Sequence, residues 1–151
     1  EALRLSGTND LESATHALIS KGTSALVVTN GAKDVFCFSD GSRFLPTRGT
    51  LPVSHAVEDA RTEGPVDGDT TGAGDNFAGG IIASIVTQLQ DRQDGKINLT
   101  EACAWGIASG DFACFYVGGT FIEEQPGQKA AIIRGIVDTY LREHEDLIHG
   151  S

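Results

Sequence analysis

Residues 68–80, Gly-Asp-Thr-Thr-Gly-Ala-Gly-Asp-Asn-Phe-Ala-Gly-Gly, join a polar, glycine-rich turn directly to an apolar run, Ile81-Ile82-Ala83-Ser84-Ile85-Val86, that reads as a helix. This junction restricts the chain more than any other stretch. Gly72 and Gly74 carry no Cβ, so the backbone can take φ > 0 and a ligand can come close to it. The first peptide N–H groups of a helix lack internal partners and lie at the positive end of its dipole. Such a turn is built to hold an anion, most plausibly a phosphate. Asp75 complicates the reading, because a carboxylate among anion-binding amides repels a phosphate unless it has a task of its own, such as taking a proton.

The chain has 151 residues, enough for one domain with a substantial core. A net charge of −10 argues against nucleic acid or an anionic membrane as the main partner, since both need basic patches. No apolar run approaches the roughly 20 residues of a membrane span, and no signal-peptide pattern opens the chain. Cys37, Cys103 and Cys114 are odd in number and lack metal-ligand spacing, which predicts reduced, buried thiols and a cytoplasmic location. The sequon Asn98-Leu99-Thr100 would matter only in a secreted protein. The chain has no Met and opens Glu-Ala-Leu-Arg-Leu-Ser-Gly, like the middle of a helix, so a piece of a longer protein is expected.

Taken in order, Leu3–Gly7 reads as a helix end, and Thr8 or Asn9 can cap a second helix that Lys21-Gly22 stops. Ala25-Leu26-Val27-Val28-Thr29 is a continuous apolar run, as in a strand buried on both faces of a parallel sheet. Asn30-Gly31 turns the chain, and Val35–Phe38 with Arg43–Leu45 reads as a hairpin at a sheet edge. From Pro46 to Asp67 a long surface loop is expected, with a short helix around Val53–Ala60. A helix follows from about Asp75 to Leu89, then a solvated connector at 91–96. Asn98 with Glu101 resembles a capping box for a helix rich in small residues that ends at Gly118-Gly119. Ile132, Ile133, Ile136, Val137, Tyr140 and Leu141 form the apolar stripe of a last amphipathic helix. Together these elements predict an α/β fold.

Two common phosphate motifs fail here. A Walker A loop needs Gly-Lys before Ser or Thr, and the Gly95-Lys96 pair precedes Ile97. A dinucleotide-binding fingerprint needs a glycine where Phe77 stands and a strand immediately before the loop. A plain glycine-rich turn, with Asp75 favouring the helix dipole, stays open on the short Gly-Ala-Gly run alone. His16, His55, His144 and His149 fall in no constellation and read as surface histidines. Trp105 and the Phe112–Tyr116 aromatics read as core.

The longer run Asp-Thr-Thr-Gly-Ala-Gly-Asp-Asn-Phe-Ala-Gly-Gly closely resembles the signature of the PfkB, or ribokinase-like, family of carbohydrate and nucleoside kinases. Glu1-Ala2 with Leu5-Ser6-Gly7 resembles the tail of the family's Asn-x-x-Glu element. Val27–Ala32 resembles its nucleotide-contacting strand end, and the small-residue helix matches its adenine-side segment. The resemblance implies that residues 1–151 are the ATP-binding and catalytic half of such a kinase domain. The fold implied is the C-terminal portion of a three-layer αβα sandwich with an edge hairpin. The N-terminal half, which supplies the lid and most of the sugar pocket, would be absent.

In the family the residue matching Asp75 is the general base for the acceptor hydroxyl, and the amides of Gly72, Ala73, Gly74 and Asp75 form the anion hole. That arrangement suits phosphoryl transfer, which is mostly positioning plus charge stabilisation. Asp69 and the Thr71 carbonyl match a monovalent-cation site, usually potassium (K⁺), together with carbonyls from the 114–120 loop; a turn-forming Asx residue is the equal alternative for Asp69. Glu1 would act on magnesium (Mg²⁺) through water. Thr29, Asn30 and Gly31 would contact the nucleotide phosphates or ribose, against a plain strand-to-turn junction. Lys33 would reach a phosphate or simply be solvated. Gly106, Ile107, Gly110 and Cys114 would line an apolar slot for the base; Ile107 stands where the family often has a polar or aromatic residue, which leaves base selectivity open. The implied activity is transfer of the γ-phosphoryl group of ATP to a sugar or sugar-like hydroxyl, with adenosine or another nucleoside as the alternative acceptor. A non-catalytic nucleotide-binding module is the reading from a different class, and this piece alone would be inactive. The family also leaves room for a homodimer in the full-length protein.

Overall fold

The computed structural model describes residues 1–91 and 95–145. Two short helices, α1 (Ala2–Ser6) and α2 (Leu11–Ser20), lead into the strands β1 (Ala25–Thr29), β2 (Asp34–Ser39) and β3 (Thr47–Pro52). Helix α3 (Ala56–Glu63) precedes the glycine loop, and α4 (Ala73–Asp91), α5 (Leu99–Ala113) and α6 (Gln128–Glu143) complete the order.

Helix α5 is the centre of the core. Its small and apolar residues leave no polar face, and such a helix must be covered on all sides. Leu99, Cys103, Ala104, Ile107, Ala108 and Phe112 pack with Val35 and Cys37 of β2, Leu51 of β3, and Ile133, Val137 and Tyr140 of α6. Burial alternates along β2, so Val35, Cys37 and Ser39 face inward. Each large apolar side chain removed from water in this way contributes roughly 1.5–3 kcal/mol. Against α4 the packing is closer still. A Cβ on Gly80 would lie 2.5 Å from the Trp105 carbonyl oxygen, and one on Gly106 would lie 3.0 Å from that of Phe77. Small residues there let two backbones meet.

Caps and cross-links fix the helix ends. The carboxylate of Asp10 accepts from the Ser13 peptide N–H at 2.8 Å, so Asp10, rather than Thr8 or Asn9, caps α2. Asn98 accepts from the Glu101 N–H at 3.1 Å, as its spacing predicts. Buried Gln88 on α4 accepts from the Asn98 N–H at 2.7 Å and donates to the Asn98 carbonyl at 3.1 Å, which ties α4 to the start of α5.

The sheet departs from expectation in two ways. β1 runs antiparallel to β2, with Val27 opposite Cys37, and only Val28 of β1 is buried. No strand covers the other edge of β1 among the described residues. The partner of β2 on its far side is Thr47–Pro52, with Val35 opposite Leu51, and not Arg43–Leu45. Phe44 instead forms a parallel bridge to Ile97. The expected loop at 46–67 therefore contains a strand and a helix. The thiols of Cys37 and Cys103 are buried and that of Cys114 is half-buried, and none of the three is in a disulfide. No helix of the described residues is long and apolar enough to cross a membrane. Part of the 91–96 connector, and His149, lie outside the described residues.

Candidate active site

The end of β1, the glycine loop and the second half of α5 converge on a cleft of about 480 Å³. Small-molecule sites typically measure about 300–1,000 Å³. β1 and its turn supply Thr29, Gly31 and Ala32; β2 and the exit of β3 supply Val35, Val53, Ser54 and His55. Thr70, Ala73, Gly74 and Phe77 come from the loop and α4, and Ile107, Gly110, Asp111 and Cys114 from α5. Val35, Val53, Phe77 and Ile107 make an apolar lining of the kind a flat ring needs, and Thr29, Ser54, His55, Thr70 and Asp111 add polar groups.

Close backbone approach builds the loop. A Cβ on Gly68 would lie 2.0 Å from the Cys114 carbonyl oxygen, so the segment entering the loop runs directly against the end of α5. Gly72 takes φ 76°, a left-handed conformation that releases the chain into α4. Gly110 lets the first turn of α4 sit on α5, since its Cβ would lie 3.1 Å from the Ala73 carbonyl. The amides at the start of α4 therefore lie beside the cleft, at the positive end of a 19-residue helix.

Asp75 lies in the first turn of α4, exposed, directly after the cleft-lining Ala73 and Gly74. Asp69 accepts from the Thr71 N–H at 2.7 Å and, more loosely, from the Gly118 N–H at 3.4 Å. The Thr71 backbone and side chain, followed by the Gly118 amide, hold its carboxyl below the ordinary value of 3.8. The Asx turn expected as one option is thus present. It also joins the glycine loop to the 3₁₀ turn Val117–Gly119. Thr71 and Gly119 are in contact there, a Cβ on Gly119 falling 2.6 Å from the Thr71 carbonyl oxygen.

Of the residues singled out in the sequence, Thr29, Gly31, Ala73, Gly74, Ile107, Gly110 and Cys114 line this one cleft. Gly72 and Asp75 flank it. Asn30 does not line it: its side chain donates to Asp34 at 3.0 Å within the β1–β2 turn. Lys33 is exposed in that turn, and its N–H donates to the Asn30 carbonyl. Gly106 is buried in the α4–α5 contact. Glu1 pairs with Arg4 on α1. No cluster of three or more His, Cys, Asp or Glu side chains suited to a metal occurs among the described residues.

His55, read from the sequence as a surface histidine, is exposed and also lines the cleft. Ser54 and Asp111 belong to it too, and their side chains are joined at 2.7 Å. A signal for Asp111 was present: positions 107, 110, 111 and 114 share one face of a helix. Ser54 and His55 carry no such local signal. His144 is not a free surface group either, since it stacks on Tyr140 with ring centroids 4.4 Å apart. The aromatic reading holds: Phe112, Tyr116 and Phe121 pack mutually at 5.2–5.3 Å.

The fold that carries this site has counterparts among solved structures. A fructokinase from Vibrio cholerae O395, solved with fructose, ADP and calcium, superposes with a TM-score of 0.55 at 23% identity, over 91% of this chain and 38% of its own length. A double mutant of a fructokinase from the same source, with fructose, ADP and potassium, gives the same TM-score at 22% identity and the same coverages. The chain therefore has part of the ribokinase-like fold and spans about two fifths of those enzymes. No curated protein matches its sequence. The sequence model of pfkB family carbohydrate kinases matches residues 1–126, from α1 through the glycine loop and α5 to the loop before α6. The chain belongs to the pfkB family of carbohydrate kinases.

Proposed function

We propose that these residues form the nucleotide-binding and catalytic half of an ATP-dependent sugar kinase, with Asp75 as general base. The observation that carries the proposal is the position of Asp75 in the first turn of α4, next to cleft-lining amides. In this reading the sugar hydroxyl oxygen bonds to the γ-phosphorus while its proton passes to the Asp75 carboxylate. The bond from the γ-phosphorus to the β–γ bridging oxygen breaks, and ADP leaves with that electron pair. The amides of Gly72, Ala73, Gly74 and Asp75 stabilise the charge on the transferring group. Ile107, Gly110 and Cys114 take the base, and Thr29 and Gly31 the ribose or phosphates; Asn30, Lys33 and Gly106 do not line the cleft.

Magnesium supplies charge neutralisation on the triphosphate when bound. Glu1 pairs with Arg4, and among the described residues there is no acidic cluster for it, so the nucleotide itself carries the oxygen ligands. A monovalent cation fits better. Asp69 with the main-chain carbonyls of Thr71 and the 114–120 loop is an all-oxygen set of low charge, suited to potassium.

The missing acceptor pocket belongs to the rest of the domain. Two surfaces support this: the uncovered edge of β1, and an apolar stripe on α4 where Ile82, Val86 and Leu89 are exposed. The chain alone then binds nucleotide without turnover, and three cysteines outside any disulfide suit a cytoplasmic setting. ADP release by the full-length kinase, assayed against sugars and nucleosides, tests the reading. Fructose or another sugar should be phosphorylated, and turnover with adenosine alone would favour the nucleoside alternative. Asp75→Asn should cut turnover by about 10²–10⁴-fold with ATP affinity unchanged. A fully active Asp75→Asn enzyme would sink the base assignment.

A further inference from the structure

The glycine loop, the Val117–Gly119 turn and helix α6 meet at one side chain. Asn76 Nδ2 donates to the Gly72 carbonyl at 3.0 Å and to the Gly119 carbonyl at 3.2 Å. Asn76 Oδ1 accepts from Lys129 Nζ at 2.8 Å. Donor chemistry permits one orientation of this amide. An ammonium group only donates and must face Oδ1; two carbonyls only accept and must face the NH₂ group. A flipped amide would mismatch all three contacts.

Each partner is itself held. The Lys129 peptide N–H donates to Glu123 Oε1 at 2.7 Å, and the Glu124 N–H donates to Gln128 Oε1 at 2.8 Å, so the first turn of α6 is fixed to the segment before it. The Asn76 peptide N–H also donates to the Gly72 carbonyl, at 2.9 Å. Gly72 and Gly119 bring two carbonyls towards one point, where they would repel each other without a donor between them. The Asn76 amide supplies both N–H groups, and the Lys129 charge polarises that amide and strengthens its donors.

We infer that Asn76 and Lys129 are positioning residues for phosphoryl transfer. The ammonium orients the amide, and the amide clamps the Gly72 carbonyl. The peptide plane between Gly72 and Ala73 is thereby set, and with it the direction of the amides leading to Asp75. Neither side chain lines the cleft, so both act through Gly72 and Asp75. Lys129 lies beyond the residues 1–126 that the family model matches. The inference rests on the kinase reading above.

Amide hydrogen exchange on this chain, combined with kinetics of the full-length kinase, tests it. The variants are Lys129→Met, Lys129→Arg, Asn76→Ala, and the Asn76→Ala, Lys129→Met pair. Lys129→Met should speed exchange at the hydrogen-bonded amides of Ala73, Asn76, Gly118 and Gly119 by about tenfold while the interior of α6 keeps its protection. In the kinase it should lower kcat by about tenfold with KM for ATP nearly constant, the signature of an interaction used in the transition state. Lys129→Arg, which keeps a donor, should recover most of the rate, and the pair should be no worse than Asn76→Ala alone. Unchanged exchange and kcat in Lys129→Met, or additive losses in the pair, would overturn the clamp. A wild-type kinase with no phosphotransfer to any acceptor would overturn the functional reading and the catalytic role with it, whatever the exchange shows.

Discussion

The Ser54 hydroxyl donates to the Asp111 carboxylate at 2.7 Å, joining the exit of β3 to α5 across 57 positions of sequence. It places a carboxylate on a cleft that the proposed function fills with a nucleotide. A carboxylate beside a triphosphate would repel it, so Asp111 belongs at the ribose or base end, where hydroxyl and amino donors are found. Asp111→Asn should therefore weaken ADP binding by about tenfold, the loss of one charge-assisted hydrogen bond. Calorimetric titration of the chain with ADP reads this directly. Tighter binding by the variant would put the phosphates next to Asp111 and reverse the cleft's polarity.

The α4–α5 contact separates two adjacent glycines. A Cβ on Gly80 would sit 2.4 Å from Ser109 Oγ and 2.5 Å from the Trp105 carbonyl oxygen, and the latter is backbone that cannot rotate away. A Cβ on Gly79 meets nothing within 4 Å. Gly80→Ala should lose about 1–3 kcal/mol to overpacking, set against roughly 1 kcal/mol of gained helix propensity. Gly79→Ala should keep that propensity gain. Thermal melts should thus move the two variants in opposite directions.

How much of this was legible in the sequence depended on how local each signal was. The glycine loop, α4, the Asn98 cap and the stripe of α6 rest on spacings within about two helical turns, and all appear in the fold except that Ile132 of the stripe is exposed. β1 was misread because an apolar run reports burial without saying which strand provides it; here β2 returns antiparallel beside it. β3 escaped notice because Thr-Arg-Gly-Thr-Leu-Pro exposes Arg48, Gly49 and Thr50 and buries only Leu51. Its register comes from Val35 opposite Leu51, a long-range choice. The cleft divides in the same way. Gly74 and Ile107 were legible from motif and spacing, whereas Ser54 and His55 enter through tertiary contacts that no local pattern encodes.

Tyr140 links α6 to the sheet, its hydroxyl donating to the Pro52 carbonyl at 2.6 Å. Burial first, then the nearby thiols of Cys103 and Cys37, pushes the phenol above its ordinary value of 10, so the group stays a donor. Tyr140→Phe leaves the Pro52 carbonyl without this partner and should cost about 1–3 kcal/mol, seen as a lower urea midpoint. The pH dependence has a definite sign. A raised folded pKa gives stability that is complete below about pH 10 and is lost as pH rises through the folded value. The wild-type protein should therefore lose stability in alkali more steeply than Tyr140→Phe.

Asp69 works at the opposite end of the pH scale. Its carboxyl is held below 3.8 by the Thr71 backbone and side chain first, and then by the Gly118 amide. A depressed folded pKa gives stability that is present above the unfolded value and disappears as pH falls through the folded one. The window thus opens at about pH 4 and extends downward. Asp10 and Asp40 are lowered in the same sense by Ser13 and Ser42, so acid unfolding mixes at least these three carboxylates among the described residues. Exchange at the Thr71 and Gly118 amides isolates Asp69, because its side chain accepts from both. Corrected for the intrinsic acid dependence of exchange, their protection should fall below about pH 4 in the wild type. Asp69→Asn should show lower protection that no longer varies across this window. Acid-sensitive protection persisting in Asp69→Asn would mean that another carboxylate holds the two loops together.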